Sequence, residues 1–206
     1  GTTTALNDAN EFRYNTINGG YYGMTLTATF AGGANGFNKF IGNRVNDFHA
    51  YGIYVSGSYN TLIDSNYFQR PARANTHTTV SGIYFTTQSN TATISRNRIT
   101  NPFGGIAGTP TQTFYGIDFN SSSASTGNDN IVVNNLIAEI TGNGAIHALN
   151  NNSSGSISYF HNTVSLDNIT STAGTTRGFS QTGAASNVVF YNNNISITRG
   201  GSGQKH

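Results

Sequence analysis

An apolar residue, two variable positions, Asn, one variable position and then Ile, Val or Phe form a phrase that recurs along the whole chain. Its copies are Phe12-Asn15-Ile17, Phe40-Asn43-Val45, Ile63-Asn66-Phe68, Ile94-Asn97-Ile99, Val132-Asn135-Ile137, Tyr159-Asn162-Val164 and Phe190-Asn193-Ile195. A second phrase follows each of the first six: a small residue, an apolar residue, any residue, and usually another apolar one. It reads Gly23-Met24-Thr25-Leu26, Gly52-Ile53-Tyr54-Val55, Gly82-Ile83-Tyr84-Phe85, Gly116-Ile117-Asp118-Phe119, Ala145-Ile146-His147-Ala148 and Gly178-Phe179-Ser180-Gln181.

Alternation with period two marks short strands with one buried face, and the phase change between the apolar residue and Asn marks a corner. The asparagines are separated by 28, 23, 31, 38, 27 and 31 residues, so length varies in the turns and not in the phrases. A fixed supersecondary unit with elastic turns is the signature of a solenoid. The spacing predicts an all-β parallel solenoid of about seven coils with three short strands per coil. A propeller needs four strands per repeat, and the hexapeptides of a left-handed β-helix are absent.

Equivalent residues of stacked parallel strands form columns along the axis at ~4.8 Å spacing. Asn15, Asn43, Asn66, Asn97, Asn135, Asn162 and Asn193 therefore make one column. A buried amide has to satisfy its donors and its acceptor, which predicts an internal Asn ladder. Asn also tolerates the left-handed angles of a tight corner, so the ladder residues are expected to take them.

These repeats resemble the pectate-lyase-like superfamily of right-handed parallel β-helices over residues 10–198. The resemblance implies a right-handed coil. It implies no single activity, since lyases, hydrolases, phage tailspikes, adhesins and inert spacers share that fold. In similar polysaccharide-active members the site lies on the outer face of the sheet made by the second phrase.

Composition narrows the function. Charged residues are 9% of the chain, and polarity comes instead from 29 Asn, 28 Thr and 25 Gly. Aromatic content of 12% is too high for a disordered tract, and no apolar run reaches the ~18 residues of a membrane span. A net charge of +2 with scattered Arg offers no basic stripe for nucleic acid. With no Cys there is neither a disulfide framework nor a thiolate metal site. Low charge, no Cys and an Asn/Thr/Gly surface are similar to bacterial exported repeat proteins. The expected location is secreted or cell-surface. The chain starts at Gly1 without a leader or capping helix and is expected to be cut from a longer array with flanking coils. Residues 1–198 form the single domain, and 199–206 read as a tail or linker.

Four features are candidates for function. The outward column of the second phrase is Thr25, Tyr54, Tyr84, Asp118, His147 and Ser180, in which Asp118 and His147 are expected to hydrogen-bond. Tyr54, Tyr84, Asp118 and His147 are the candidate ligand-binding residues, because aromatic faces take sugar rings and Asp and His bond hydroxyls. The long turns 69–80 and 101–114 lie on one corner of adjacent coils and are expected to pack together beside this strand. The Ser-rich turn Asn120–Asn130 reads as flexible. Arg44, Tyr67 and Arg98 share a second outward column.

Catalysis lacks a signature. Glycoside hydrolysis needs two carboxyls roughly 5–9.5 Å apart, and none of the eight acidic residues pairs convincingly: Asp47 and Glu139 share a column three coils apart. Arg70 and Arg73 faintly resemble a lyase arginine motif, but without its acidic cluster. The histidines show no metal-ligand spacing, and no cofactor or metal is expected. The sequence reading is a structural or adhesive segment without catalysis of its own, whose partners are glycans or other surface proteins. The alternative is a carbohydrate-binding or carbohydrate-active β-helix.

Overall fold

The structure, a computed structural model, describes residues 8–28, 35–75, 77–203 and 205–206. These form a parallel β-solenoid of about six turns, with no helix among them. Two sheets hold seven strands and the third holds six, so the seventh coil is only begun. A small two-stranded sheet, Asn35–Gly36 with Ser58–Tyr59, lies beside them.

The first phrase makes the first two sheets. Phe12, Phe40, Ile63, Ile94, Val132, Tyr159 and Phe190 are register partners in one column. Ile17, Val45, Phe68, Ile99, Ile137, Val164 and Ile195 are partners in the next. The middle coils bury these side chains almost completely, each contributing roughly 1.5–3 kcal/mol. At the two ends Phe12 and Phe190 remain 43% and 40% exposed, because no coil covers them among the described residues.

Between these sheets the chain turns sharply, and the seven asparagines sit there. Asn97 shows the pattern. Its Oδ1 accepts from the backbone N–H and Nδ2 of Asn66 at 2.9 and 3.0 Å. Its own Nδ2 donates to Asn135 Oδ1 at 3.0 Å and back to the Ile63 carbonyl at 2.8 Å. Asn43, Asn66, Asn135 and Asn162 repeat all four bonds with their own neighbours. The left-handed angle, however, falls on the residue before each Asn: Tyr14, Gly42, Ser65, Arg96, Asn134, His161 and Asn192, with φ between 52° and 64°. The Asn itself is held by its backbone N–H bond to the next amide, so its predecessor absorbs the bend. Only Gly42 does so without steric cost.

The second phrase makes the third sheet: Tyr22–Thr27, Tyr51–Ser56, Thr79–Thr86, Thr113–Asn120, Ile146–Asn152 and Thr176–Thr182. Its small column faces inward. A Cβ on Gly52 would stand 2.4 Å from the Gly82 carbonyl oxygen and 2.6 Å from Phe68 Cδ1. Packing of the second sheet against the third, and not backbone angle, excludes a side chain there.

The turns 69–80 and 101–114 do meet. The fully buried Arg70 guanidinium donates to the carbonyls of Phe48 (2.6 Å), Pro102 (2.6 Å) and Asn75 (3.1 Å), and Gly105 N–H donates to the Arg70 carbonyl. The Ser-rich turn is tied to the next coil, with Ser121, Ala124 and Asn130 N–H groups donating to the carbonyls of Asn152, Gly155 and Ser156. The described residues of 199–206 do not leave the body as a tail. Arg199, Gly200, Ser202 and His206 donate their N–H groups to Leu166, Asn168, Thr172 and Thr176. The buried Arg199 guanidinium donates to Thr176 Oγ1 at 2.6 Å and to the Gly142 and Gly144 carbonyls. The coil thus continues past residue 198.

Candidate functional site

The third sheet turns three columns of side chains outward. The first is Tyr22, Tyr51, Ser81, Tyr115, His147 and Arg177. The second is Thr25, Tyr54, Tyr84, Asp118, Asn150 and Ser180, and the third is Thr27, Ser56, Thr86, Asn120, Asn152 and Thr182. The small inward residue between the first two columns, Gly in five coils and Ala148 in the fifth, lets residues three apart both point outward.

This register corrects the fifth copy of the second phrase. Ala148-Leu149-Asn150-Asn151 occupies it, not Ala145-Ile146-His147-Ala148: Ile117 pairs with Leu149, and Asp118 with Asn150. His147 lies three residues away, beside Tyr115, and does not bond Asp118. The sequence offered both frames. The true one has Asn151 where an apolar residue was expected, and that buried amide is satisfied by the Ser154 carbonyl and Gln181 Oε1.

The face is divided lengthwise. Its N-terminal half is aromatic: Tyr51 lies 5.5, 5.3 and 5.2 Å from Tyr22, Tyr54 and Tyr84, and Tyr54 lies 5.4 Å from Tyr84, centroid to centroid. Burial first, and the neighbouring phenols second, push Tyr51 up to about 12. Tyr21 extends the patch toward the turn 69–80, where its O–H meets His77 Nε2 at 3.2 Å. Arg73 donates to His49 Nδ1 at 3.1 Å, and burial followed by Arg73 lowers the His49 pKa. Tyr51 and Tyr115 were missed because only one outward column of this sheet was read, and Tyr21, His49 and His77 because they precede the strands and belong to no repeated column.

The C-terminal half is polar and linked. Asn150 Nδ2 donates to Asp118 Oδ1 at 2.7 Å, the Ser180 hydroxyl donates to Asn150 Oδ1, and His147 Nδ1 meets Ser180 Oγ at 3.2 Å. With the Ser180 proton committed to Asn150, Nδ1 of His147 carries the donor hydrogen. The His147 ring stacks on Tyr115 at 4.8 Å. Between the halves lies a groove of about 300 Å³ lined by Tyr51, His77, Thr79, Ser81, Tyr84, Tyr115, Asp118, Asn120, Asn150 and Asn152. Three of the four candidates meet in or beside it, and His147 borders it through Tyr115.

Burial raises the Asp118 carboxyl to about 6, and burial, then Arg177, lowers His147 to about 4. The linked stability effects have opposite signs. Asp118 holds its proton more tightly in the folded state, so its contribution is present at low pH and is lost as pH rises from about 4 to 6. That of His147 is present above 6.5 and is lost as pH falls toward 4. Between pH 7 and pH 4.5, His147→Gln should shift the melting temperature upward relative to the parent, and Asp118→Asn downward. Parallel curves for the three proteins would contradict the assignment.

The groove holds one carboxyl, so it lacks the pair that two-carboxyl hydrolysis requires. No group of three or more His, Asp or Glu side chains among the described residues is placed to hold a metal ion. On the second sheet Tyr67 lies between two guanidinium groups, 4.8 Å from Arg44 and 5.4 Å from Arg98, but Arg98 is ion-paired with Glu139 at 2.9 Å. Arg70, read as part of a lyase-like motif, is sealed inside the turns and faces no groove. No family model matches this chain, and neither a curated protein nor a solved structure matches it.

Proposed function

We propose that this chain is an adhesive segment of a secreted or cell-surface bacterial protein. Its right-handed, pectate-lyase-like coil is a stiff mount for a glycan-binding face, without catalysis of its own. The reading rests on one observation: Tyr22, Tyr51, Tyr54 and Tyr84 are in continuous ring contact on the outer face and run directly into the Asp118–Asn150 floor. Tyrosine offers large apolar area with few rotamers to freeze, and rings supported by other rings lose little further freedom on binding. Sugars need that combination, an apolar platform beside groups that accept and donate to hydroxyls. The Asn- and Thr-rich, low-charge composition with no Cys supports the extracellular location.

A glycan array with the intact chain should give binding, and Tyr84→Ala should weaken it at least roughly tenfold, as the loss of a central aromatic anchor does. The melting temperature should stay within a few degrees, since the Tyr84 ring lies on the outer face and not in the core. A blank array would leave the coil as a stalk and remove the glycan reading.

A further inference from the structure

We infer that this groove selects uncharged glycans and rejects uronic-acid polymers, because its one carboxylate, Asp118, lies on the floor where the ligand must pass. The inference rests on the glycan-binding reading and adds the chemical class.

Asp118 is 7% exposed and lies at the boundary between the aromatic and polar halves. Its Oδ1 takes the Asn150 amide, and no hydrogen bond to Oδ2 is formed among the described residues. A carboxylate oxygen can only accept, so it calls for a hydroxyl donor on the ligand. Tyr84 supplies the converse. Its oxygen already accepts from Asn120 Nδ2 at 3.0 Å, which leaves the phenolic proton to donate. One free acceptor and one free donor on adjacent coils match a sugar that presents both a hydroxyl hydrogen and an oxygen. A ligand carboxylate at the same place would leave Oδ2 unsatisfied and set like charges together in a partly dry groove.

The groups facing Asp118 do not offset this. Tyr84 and Tyr115 flank it, the Tyr159 phenol lies in the core beneath, and His147, lowered to about 4, is neutral at pH 7. His77 is turned to Tyr21 and the Thr79 carbonyl. Among the described residues of the three outward columns Arg177 is the one permanent cation, but it stands in the neighbouring column two coils away. With its carboxyl at about 6, Asp118 is ionised at pH 7.5 and largely protonated at pH 5.

The test uses hexamers of glucose, xylose and mannose, together with oligogalacturonate and its methyl ester, a pair that differs in charge and in one methyl group per sugar. At pH 7.5 the neutral hexamer that the chain binds should have at least roughly tenfold higher affinity than oligogalacturonate, and the ester should exceed its free acid by a similar factor. Asp118→Asn, nearly isosteric, should bring ester and acid within about twofold. It should also weaken the neutral ligand roughly tenfold, by removing a charge-assisted bond. Oligogalacturonate binding should strengthen from pH 7.5 to pH 5 in the parent more than in Asp118→Asn. Equal or tighter binding of the acid by the parent, or an unchanged ratio in Asp118→Asn, overturns the charge selection and leaves glycan binding intact. No binding of any probe, with Tyr84→Ala also silent, overturns both.

Discussion

Asn97→Ala should lower the free energy of unfolding by about 4 kcal/mol, taking 1–3 kcal/mol for each buried group left without a partner. The substitution removes four hydrogen bonds. It strands the Asn66 backbone N–H and one Asn66 amide hydrogen inside the buried column and takes one of two donors from the Ile63 carbonyl, which keeps its strand ladder. Asn135 Oδ1 keeps the backbone N–H of residue 97 and is the least affected. The bend at Arg96, with φ of 55°, would then have no amide behind it to hold it. At the solenoid end Asn15 is exposed and among the described residues has side-chain bonds to Asn43 only, so Asn15→Ala should cost about 1 kcal/mol. Denaturant melts of the two variants check the difference. Equal, small losses would mean that the amide column is not a principal source of stability.

Arg70→Met should cost about 3 kcal/mol, because it deprives the buried Phe48 and Pro102 carbonyls, together with that of the exposed Asn75, of their donor at once. The Phe48, Pro102 and Asn75 carbonyls come from three separate turns, and one planar fork satisfies all three. Burial lowers the Arg70 pKa to about 10, so the guanidinium remains charged at neutral pH without a carboxylate partner. Arg70→Lys keeps the charge but has no fork, and should recover less than half of the loss. Hydrogen exchange should quicken in the turns 69–75 and 101–108 while the strands flanking Asn97, Thr93–Ser95 and Arg98–Thr100, stay protected. Because His77 lies on this turn, glycan affinity should fall as well. Uniform loosening of the whole chain would contradict a local clamp.

Much of the fold was legible because the first phrase has no competing frame. Only one alignment puts Phe40, Ile63 and Ile94 in one column and Val45, Phe68 and Ile99 in another. The fifth copy of the second phrase failed for a physical reason. Ala145-Ile146 imitates the small-apolar start, while the true frame buries Asn151 against Gln181, a polar pair that a hydrophobic pattern does not register. The following coil held the signal, since Asn150-Asn151 aligns with Ser180-Gln181. Sequence spacing also gave no sign of the second amide chain, Asn18–Asn46–Gln69, because Gln replaces Asn in it. The site was half legible: Tyr54, Tyr84 and Asp118 came from one column. The adjoining one, with Tyr51 and Tyr115, became visible only once the inward bend at glycine placed residues three apart on the same face. Arg70 read as part of a lyase-like motif and Arg199 as part of a tail, since nothing in a sequence marks an arginine whose partners are all main-chain or hydroxyl oxygens.

The register that places tyrosines, Asp118 and Asn150 on one face is best tested by cross-linking, and the chain has no native Cys to interfere. Asp118→Cys combined with Asn150→Cys should oxidise readily to a disulfide, because register partners ~4.8 Å apart lie within bonding geometry. Asp118→Cys combined with His147→Cys should stay reduced, since three residues of strand add ~10 Å. Closure of the second pair and not the first would contradict the register and the groove built on it.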